Sequence, residues 1–294
     1  MKMSTAGLSL PPEPMLPTPN VRRVVLVVLD GLRPDAIPRF DLVHTAALAK
    51  QGASTMFGRT VNPSVTACAM ASLLTGASPE RHGLQGDRFH IPRATGPLHP
   101  LPRVLAEHGL PSTAFLARLP LMFIPIGHRI AAHVGTKARF AGRSAQDIVT
   151  VAQKTLRAQR EGLILLHFPD ADRIGHERGW MSDAYAAAAR DMDAALGRVV
   201  TEVRTDDPST LIIALADHGG GGARSDHHNS DHPLDRTIPV ILAGGAVRRE
   251  ALPNGTSLLD VPPTVLAALG VPQPESYPGV ALTAALGLPS LVAA

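Results

Sequence analysis

The chain has 294 residues and one cysteine, Cys68, so no intrachain disulfide can form and no oxidising compartment is implied. Aromatic residues make up only 3% of it, which argues against base-stacking nucleic-acid surfaces and aromatic sugar platforms. No uninterrupted apolar run reaches transmembrane length, and residues 1–20 carry five prolines but no signal-peptide core. Charge of either sign is nearly balanced, at a formal +3, which is compatible with a small anionic substrate. From these absences we expect a cytoplasmic protein with no membrane and no nucleic-acid polymer as partner. Hydrophobic residues, at 45%, suffice for a sizeable core. The organisation expected is a proline-rich tail over 1–20 followed by one domain over 21–294.

Several continuous apolar, β-branched-rich runs read as strands covered on both faces. They are VVLVVLDGL from Val24 to Leu32, GLILLHF from Gly162 to Phe168, and LIIALA from Leu211 to Ala216. Shorter strands are expected over Ala53–Arg59, Ser112–Ala117 and Thr237–Leu242. Helices are expected over Phe40–Gln51, Ala67–Leu74, Pro102–Glu107, from Ser144 to about Arg160, from Ser182 to about Val203, and over Val261–Leu269. Ser64 reads as the cap that places Thr66 in the first turn of its helix, where N–H groups and the helix dipole favour an anion. Strands alternate with helices throughout. The expected fold class is therefore α/β, a mostly parallel central sheet with helices on both faces. Residues 88–143 stand apart as a basic segment. Between Asp87 and Arg143 there are eight Lys/Arg and two acids. This is either an insert roofing an anionic site or an ordinary solvated surface.

In open α/β sheets ligands sit past the carboxyl ends of the strands. Three strand exits here carry carboxylates: Asp30, Asp172 and Asp217. Histidines accompany two of them, His176 and His218, and the loop after Asp217 returns a further imidazole at His228. Each could be a polar turn residue. Together, three carboxylates and three imidazoles are enough for two divalent metals with open positions. A hydroxyl nucleophile is at hand in Thr66.

These segments resemble the alkaline phosphatase superfamily, and most closely its nucleotide pyrophosphatase/phosphodiesterase branch (type I phosphodiesterases). VVLVVLDGLRPD is similar to the family's first strand and metal aspartate. TACAMASLLTGASPERHG resembles its nucleophile segment, DADRIGHERG its D-x-x-G-H metal motif, LADHGG its D-H-G motif, and LLDVPPTVLAALGVP its closing segment. The resemblance implies an alkaline phosphatase-like fold with two divalent ions, zinc first, manganese or iron as alternatives. It implies one ion held by Asp172, His176 and His228, and the other by Asp30, Asp217 and His218 with Thr66 completing its shell. His227 and His232 are rivals of His228. The implied activity is hydrolysis of phosphodiesters or nucleotide pyrophosphates through a phosphothreonine at Thr66. At the position where that branch carries a substrate-binding Asn this chain has Asp87, followed by Arg88, and both are candidate substrate contacts. An ionised Asp87 would repel phosphate. That departure keeps a phosphomonoesterase or phosphonate hydrolase in view, and more remotely a metal-dependent binding protein without turnover. A sulfatase is disfavoured, because Thr66 and Met70 occupy the positions where that branch has Cys or Ser and Arg.

Overall fold

A computed structural model describes residues 21–86, 93–203, 207–245 and 247–288. The chain runs β1 (Arg23–Leu29), α1 (Ala36–Arg39), α2 (Val43–Gln51), β2 (Ala53–Arg59), α3 (Thr66–Thr75), α4 (Pro79–His82), α5 (Leu101–Glu107), β3 (Ser112–Leu116), α6 (Ile124–Val134) and β4 (Lys137–Phe140). It continues with α7 (Ala145–Ala158), β5 (Gly162–Phe168), α8 (Asp170–Arg178), α9 (Asp183–Val203), β6 (Thr210–Leu215), α10 (Pro233–Arg236), β7 (Thr237–Gly244), β8 (Glu250–Ala251) and α11 (Val261–Ala268). The strands form one eight-stranded sheet in the order β4-β3-β5-β1-β6-β7-β2-β8. Every pairing from β4 to β6 is parallel; β7 runs antiparallel to both of its neighbours.

Every residue of β1, β5 and β6 is buried, which requires cover on both faces. Two packed groups of helices supply it: α2, α7, α8 and α9 form one, and α3, α4, α5 and α11 the other. At the amino edge of the sheet the guanidinium of Arg23 is fully buried. It donates to Leu156 O at 2.8 Å and Val203 O at 3.0 Å, carbonyls at the C-terminal ends of α7 and α9, where a cation suits the helix dipole. No helix among the described residues is long and apolar enough to cross a membrane.

Register aligns the opposite edge. Leu29 pairs with Phe168 and Val28 with Leu215. Asp30, Asp172 and Asp217, which follow these three strand ends, therefore emerge side by side.

The structure departs from the sequence reading in several places. The helix expected from Phe40 begins at Val43, because Asp41 takes φ 53° and separates it from the short α1. Ser64 does not cap α3: Val65 holds the cap position with no side-chain hydrogen bond, and the Ser64 hydroxyl is buried. Within the basic segment, α6 and β4 were not anticipated, and β3 and β4 extend the central sheet rather than standing apart from it. Ser144 does cap α7, its Oγ accepting from the Asp147 N–H at 3.2 Å.

Candidate metal centre

Asp217 lies at the floor of the cluster, fully buried. Its Oδ1 accepts from the Gly31 N–H at 3.2 Å and the His218 N–H at 3.0 Å. Asp30, one residue past β1, is nearly as buried, and its backbone carbonyl accepts from the Asp172 N–H at 3.0 Å. That contact brings α8 against the end of β1, and Gly31 permits it. Gly31 has φ 69°, and a Cβ there would sit 2.8 Å from Asp172 Cα. The glycine run after His218 answers a similar need, since a Cβ on Gly220 would lie 2.2 Å from the Trp180 ring. The Trp180 indole in turn donates to Gly31 O at 2.9 Å.

Three imidazoles face these carboxylates in the same manner. His218 Nδ1 lies 2.7 Å from Gly219 O, His228 Nδ1 2.8 Å from Ser64 O, and His176 Nδ1 3.0 Å from Asp226 O. A carbonyl can only accept, so each ring carries its proton on Nδ1 and turns the Nε2 lone pair into the cluster. His218 Nε2 is 3.3 Å from Asp30 Oδ1, 3.7 Å from Asp217 Oδ2 and 3.9 Å from Asp172 Oδ1. His228 and His176 Nε2 are 3.7 and 3.4 Å from Asp172 Oδ1. Two trios have ligand atoms within 4.8 Å of one another, Asp30–Asp217–His218 and Asp172–His218–His228. His218 thus stands between the trios, in the place where the resemblance puts His176, which borders the second trio through Asp172.

Of the rival histidines, His227 is half-exposed and pairs with Asp226 at 2.9 Å. His232 caps α10, accepting from the Leu234 N–H at 3.2 Å. Neither faces the carboxylates. Asp87 and Arg88 lie outside the described residues.

Thr66 is the first residue of α3. Its hydroxyl lies 3.0 Å from His218 Nε2 and 3.3 Å from Asp30 Oδ1. The helix brings backbone N–H groups and its positive dipole end to the same place.

One residue of this cluster escaped the sequence reading. His167, the penultimate residue of β5, is buried with Nε2 3.2 Å from Asp30 Oδ2. Burial holds its pKa below the ordinary value, so the ring is neutral. The available signal was a lone polar residue in GLILLHF, one position before a strand end that adjoins the strand leading to Asp30.

The electrostatics follow from burial. Asp30 is pushed well above the usual carboxylate range by desolvation, and further by the Asp217 and Asp172 carboxylates. Asp217, whose charge burial also opposes, is nonetheless held below its ordinary value by the His218 and His167 imidazoles in their protonated form at low pH, and by the Gly31 N–H. His228 is pushed down to about 3 by burial and by the neighbouring His218, whose ring stacks on it at 4.0 Å.

Comparison with known proteins agrees with this geometry. Residues 24–100 match the type I phosphodiesterase/nucleotide pyrophosphatase family, and residues 128–273 match the Metalloenzyme superfamily. Together these two matches fit the alkaline phosphatase superfamily. Among curated relatives, a 2,3-bisphosphoglycerate-independent phosphoglycerate mutase of Cellvibrio japonicus is 31% identical over 137 residues, 46% of this chain and 26% of the relative. The matched part thus spans about a quarter of that relative's length. Solved structures share the fold at low identity. A 2-O GAG sulfatase has TM-score 0.74 at 12% identity, covering 92% of this chain and 75% of its own. Murine ectonucleotide pyrophosphatase/phosphodiesterase 5 in complex with AMP has TM-score 0.68 at 14% identity, covering 90% and 98%. A phosphonate monoester hydrolase from Silicibacter pomeroyi has TM-score 0.64 at 16% identity, covering 94% and 78%.

The residues of the cluster suit divalent ions on their own chemistry. Asp217 Oδ2 is a buried carboxylate oxygen with no hydrogen-bond partner, within the first trio. An orphaned buried anion is costly unless a cation meets it. Imidazoles anchored through Nδ1 with Nε2 directed at carboxylates are what a metal shell with its outer hydrogen bonds requires.

Proposed function

We propose that this protein hydrolyses phosphate esters, phosphodiesters or nucleotide pyrophosphates in particular, through a phosphothreonine formed at Thr66. The observation that carries this reading is the position of Thr66 Oγ1. It sits at a helix N-terminus and within hydrogen-bond distance of ligand atoms His218 Nε2 and Asp30 Oδ1. Asp30, Asp217 and His218 would hold one divalent ion. Asp172, His228 and His176 would hold the other, with His218 Nε2 near both. When bound, such ions supply positive charge that lowers the pKa of a hydroxyl and neutralises phosphoryl oxygens. Zinc suits the mixed imidazole and carboxylate donors, and manganese or iron can occupy the same donors.

In this reading the Thr66 oxygen bonds to phosphorus as the ester bond to the leaving oxygen breaks. Water then attacks the phosphothreonine, frees the hydroxyl and releases the phosphorylated product. The Asp30 carboxylate orients the Thr66 hydroxyl. The N-terminus of α3 receives the phosphoryl oxygens. A small anionic substrate follows from this chemistry. The similarity to a phosphonate monoester hydrolase supports a second reading, hydrolysis of phosphonates or phosphomonoesters at the same site.

The test is turnover of bis-p-nitrophenyl phosphate, p-nitrophenyl phosphate and an aryl phosphonate monoester by zinc- or manganese-loaded protein, with mass spectrometry of acid-quenched samples. Diester turnover with a phosphoryl adduct on Thr66 is expected. Preference for the monoester or the phosphonate selects the second reading. No turnover of any of them and no adduct would overturn both.

A further inference from the structure

We propose that the ridge formed by Leu121, Met122, Phe123, Ile126 and Ile130 docks this protein onto an anionic lipid bilayer. Among the described residues nine large hydrophobic side chains are exposed, and these five are contained within ten consecutive positions. Leu121 and Met122 are 71% and 78% exposed. Clustering of this kind marks an interaction surface, whereas scattered exposed hydrophobics do not.

The helix α6 is inside out for a helix facing water. Two of its small residues face inward: Ala131 is buried, and a Cβ on Gly127 would lie 2.6 Å from the Phe140 ring. Its large apolar residues Ile126 and Ile130, four apart and therefore on one face, point outward. Leu121–Phe123 continue the ridge one turn earlier.

The charges around the ridge are of one sign. No Asp or Glu occurs between Glu107 and Asp147, while Arg118, Arg129, Lys137, Arg139 and Arg143 all do, and all are exposed. Arg118 and Arg143 lie beside the start of the ridge, since the Arg118 N–H donates to Gly142 O at 2.8 Å. Arg129 lies on α6 itself. An apolar edge flanked by cations is the pattern of a helix that rests in an anionic bilayer interface.

Other occupants fit less well. A two-fold contact with a second copy would set these arginines against one another. A protein groove favours side chains seated among neighbours, whereas these project into solvent, and a bilayer needs no matching shape. The expectation of no membrane partner rested on the lack of a spanning run, which does not bear on surface docking. Leu121–Phe123 follow the carboxyl end of β3, so docking would place the edge that carries Asp30, Asp172 and Asp217 near the bilayer. The inference does not depend on the phosphate-ester reading.

The test is co-sedimentation of the full chain with vesicles of phosphatidylcholine alone or phosphatidylcholine with phosphatidylglycerol, at low and high salt. The expected result is binding to the anionic vesicles only, weakened by salt. Met122→Ser with Phe123→Ser, and separately Arg118→Gln with Arg129→Gln, should each reduce it at least tenfold (an order-of-magnitude expectation). Circular dichroism melts should be unchanged, because all four side chains are exposed. No sedimentation of the wild-type chain, or binding that survives both double variants, would overturn the proposal. So would a concentration-dependent dimer dispersed by the Met122/Phe123 variant, which would make a second copy the occupant.

Discussion

His167 Nε2 stands 3.2 Å from Asp30 Oδ2, on the side of that carboxylate away from Thr66 and His218, which approach Oδ1. A neutral imidazole there packs against the carboxylate without competing for the oxygen that faces the cluster. His167→Leu should therefore leave the strands paired and weaken metal binding by about 10–100-fold, on the order seen when a side chain supporting a ligand from outside is lost. Competition with a chromophoric chelator measures it. Unaltered affinity would make His167 a packing residue only.

Thr66→Ala should retain fold and metal content, because it removes a part-buried hydroxyl and adds no bulk. Turnover should fall by several orders of magnitude, as expected for loss of a covalent nucleophile. Thr66→Ser should keep part of it. Near-wild-type rates from the alanine variant would rule out the phosphothreonine route.

Metal content distinguishes the three neighbouring histidines. Reconstituted protein should carry close to two divalent ions, and chelation should abolish turnover. His228→Ala should lose about one ion per chain, on the order expected for removing one ligand from one site. His227→Ala and His232→Ala should lose none, since those rings are occupied by Asp226 and by the α10 cap. Elemental analysis of the three variants decides.

Acid sensitivity of the metal-free protein should depend on His228. Its ring titrates at about 3 in the fold against 6.5 ordinarily. Between those values the unfolded chain binds a proton that the folded chain refuses, so stability rises with pH across that window. The contribution is complete above 6.5 and is lost as pH falls towards 3. His228→Gln should therefore compare more favourably with wild type at pH near 5 than at pH near 8 (roughly, given the window) when unfolding is followed in chelator. An equal difference at both would contradict it.

Gly31→Ala tests the junction between β1 and α8. The backbone there is left-handed, and the added methyl would meet Asp172. A stability loss of about 1–2 kcal/mol is expected from the backbone alone, with weaker metal binding because Asp172 must move. Denaturant melts and metal titration measure both.

The sequence by itself determined the alternation of strands and helices, the three buried central strands and the carboxylates at their exits. Continuous apolar runs and abrupt polar stops are local signals, and the parallel connection rule carries their ends to one edge. It also marked Thr66 at a helix start, though not its cap, since Ser64 turns its carbonyl to His228 rather than its hydroxyl to α3. Only the tertiary structure separated His228 from His227 and His232. Adjacent residues in an irregular loop point in different directions, His228 towards the distant Ser64 carbonyl and His227 towards its own neighbour Asp226. It alone brought His167 to Asp30, because facing across two paired strands depends on register. The same holds for the basic segment. Its composition is plain in the chain, but β4 is a short edge strand with weak periodicity. Which face of α6 meets Phe140, and which is left to solvent, is decided by packing against the sheet.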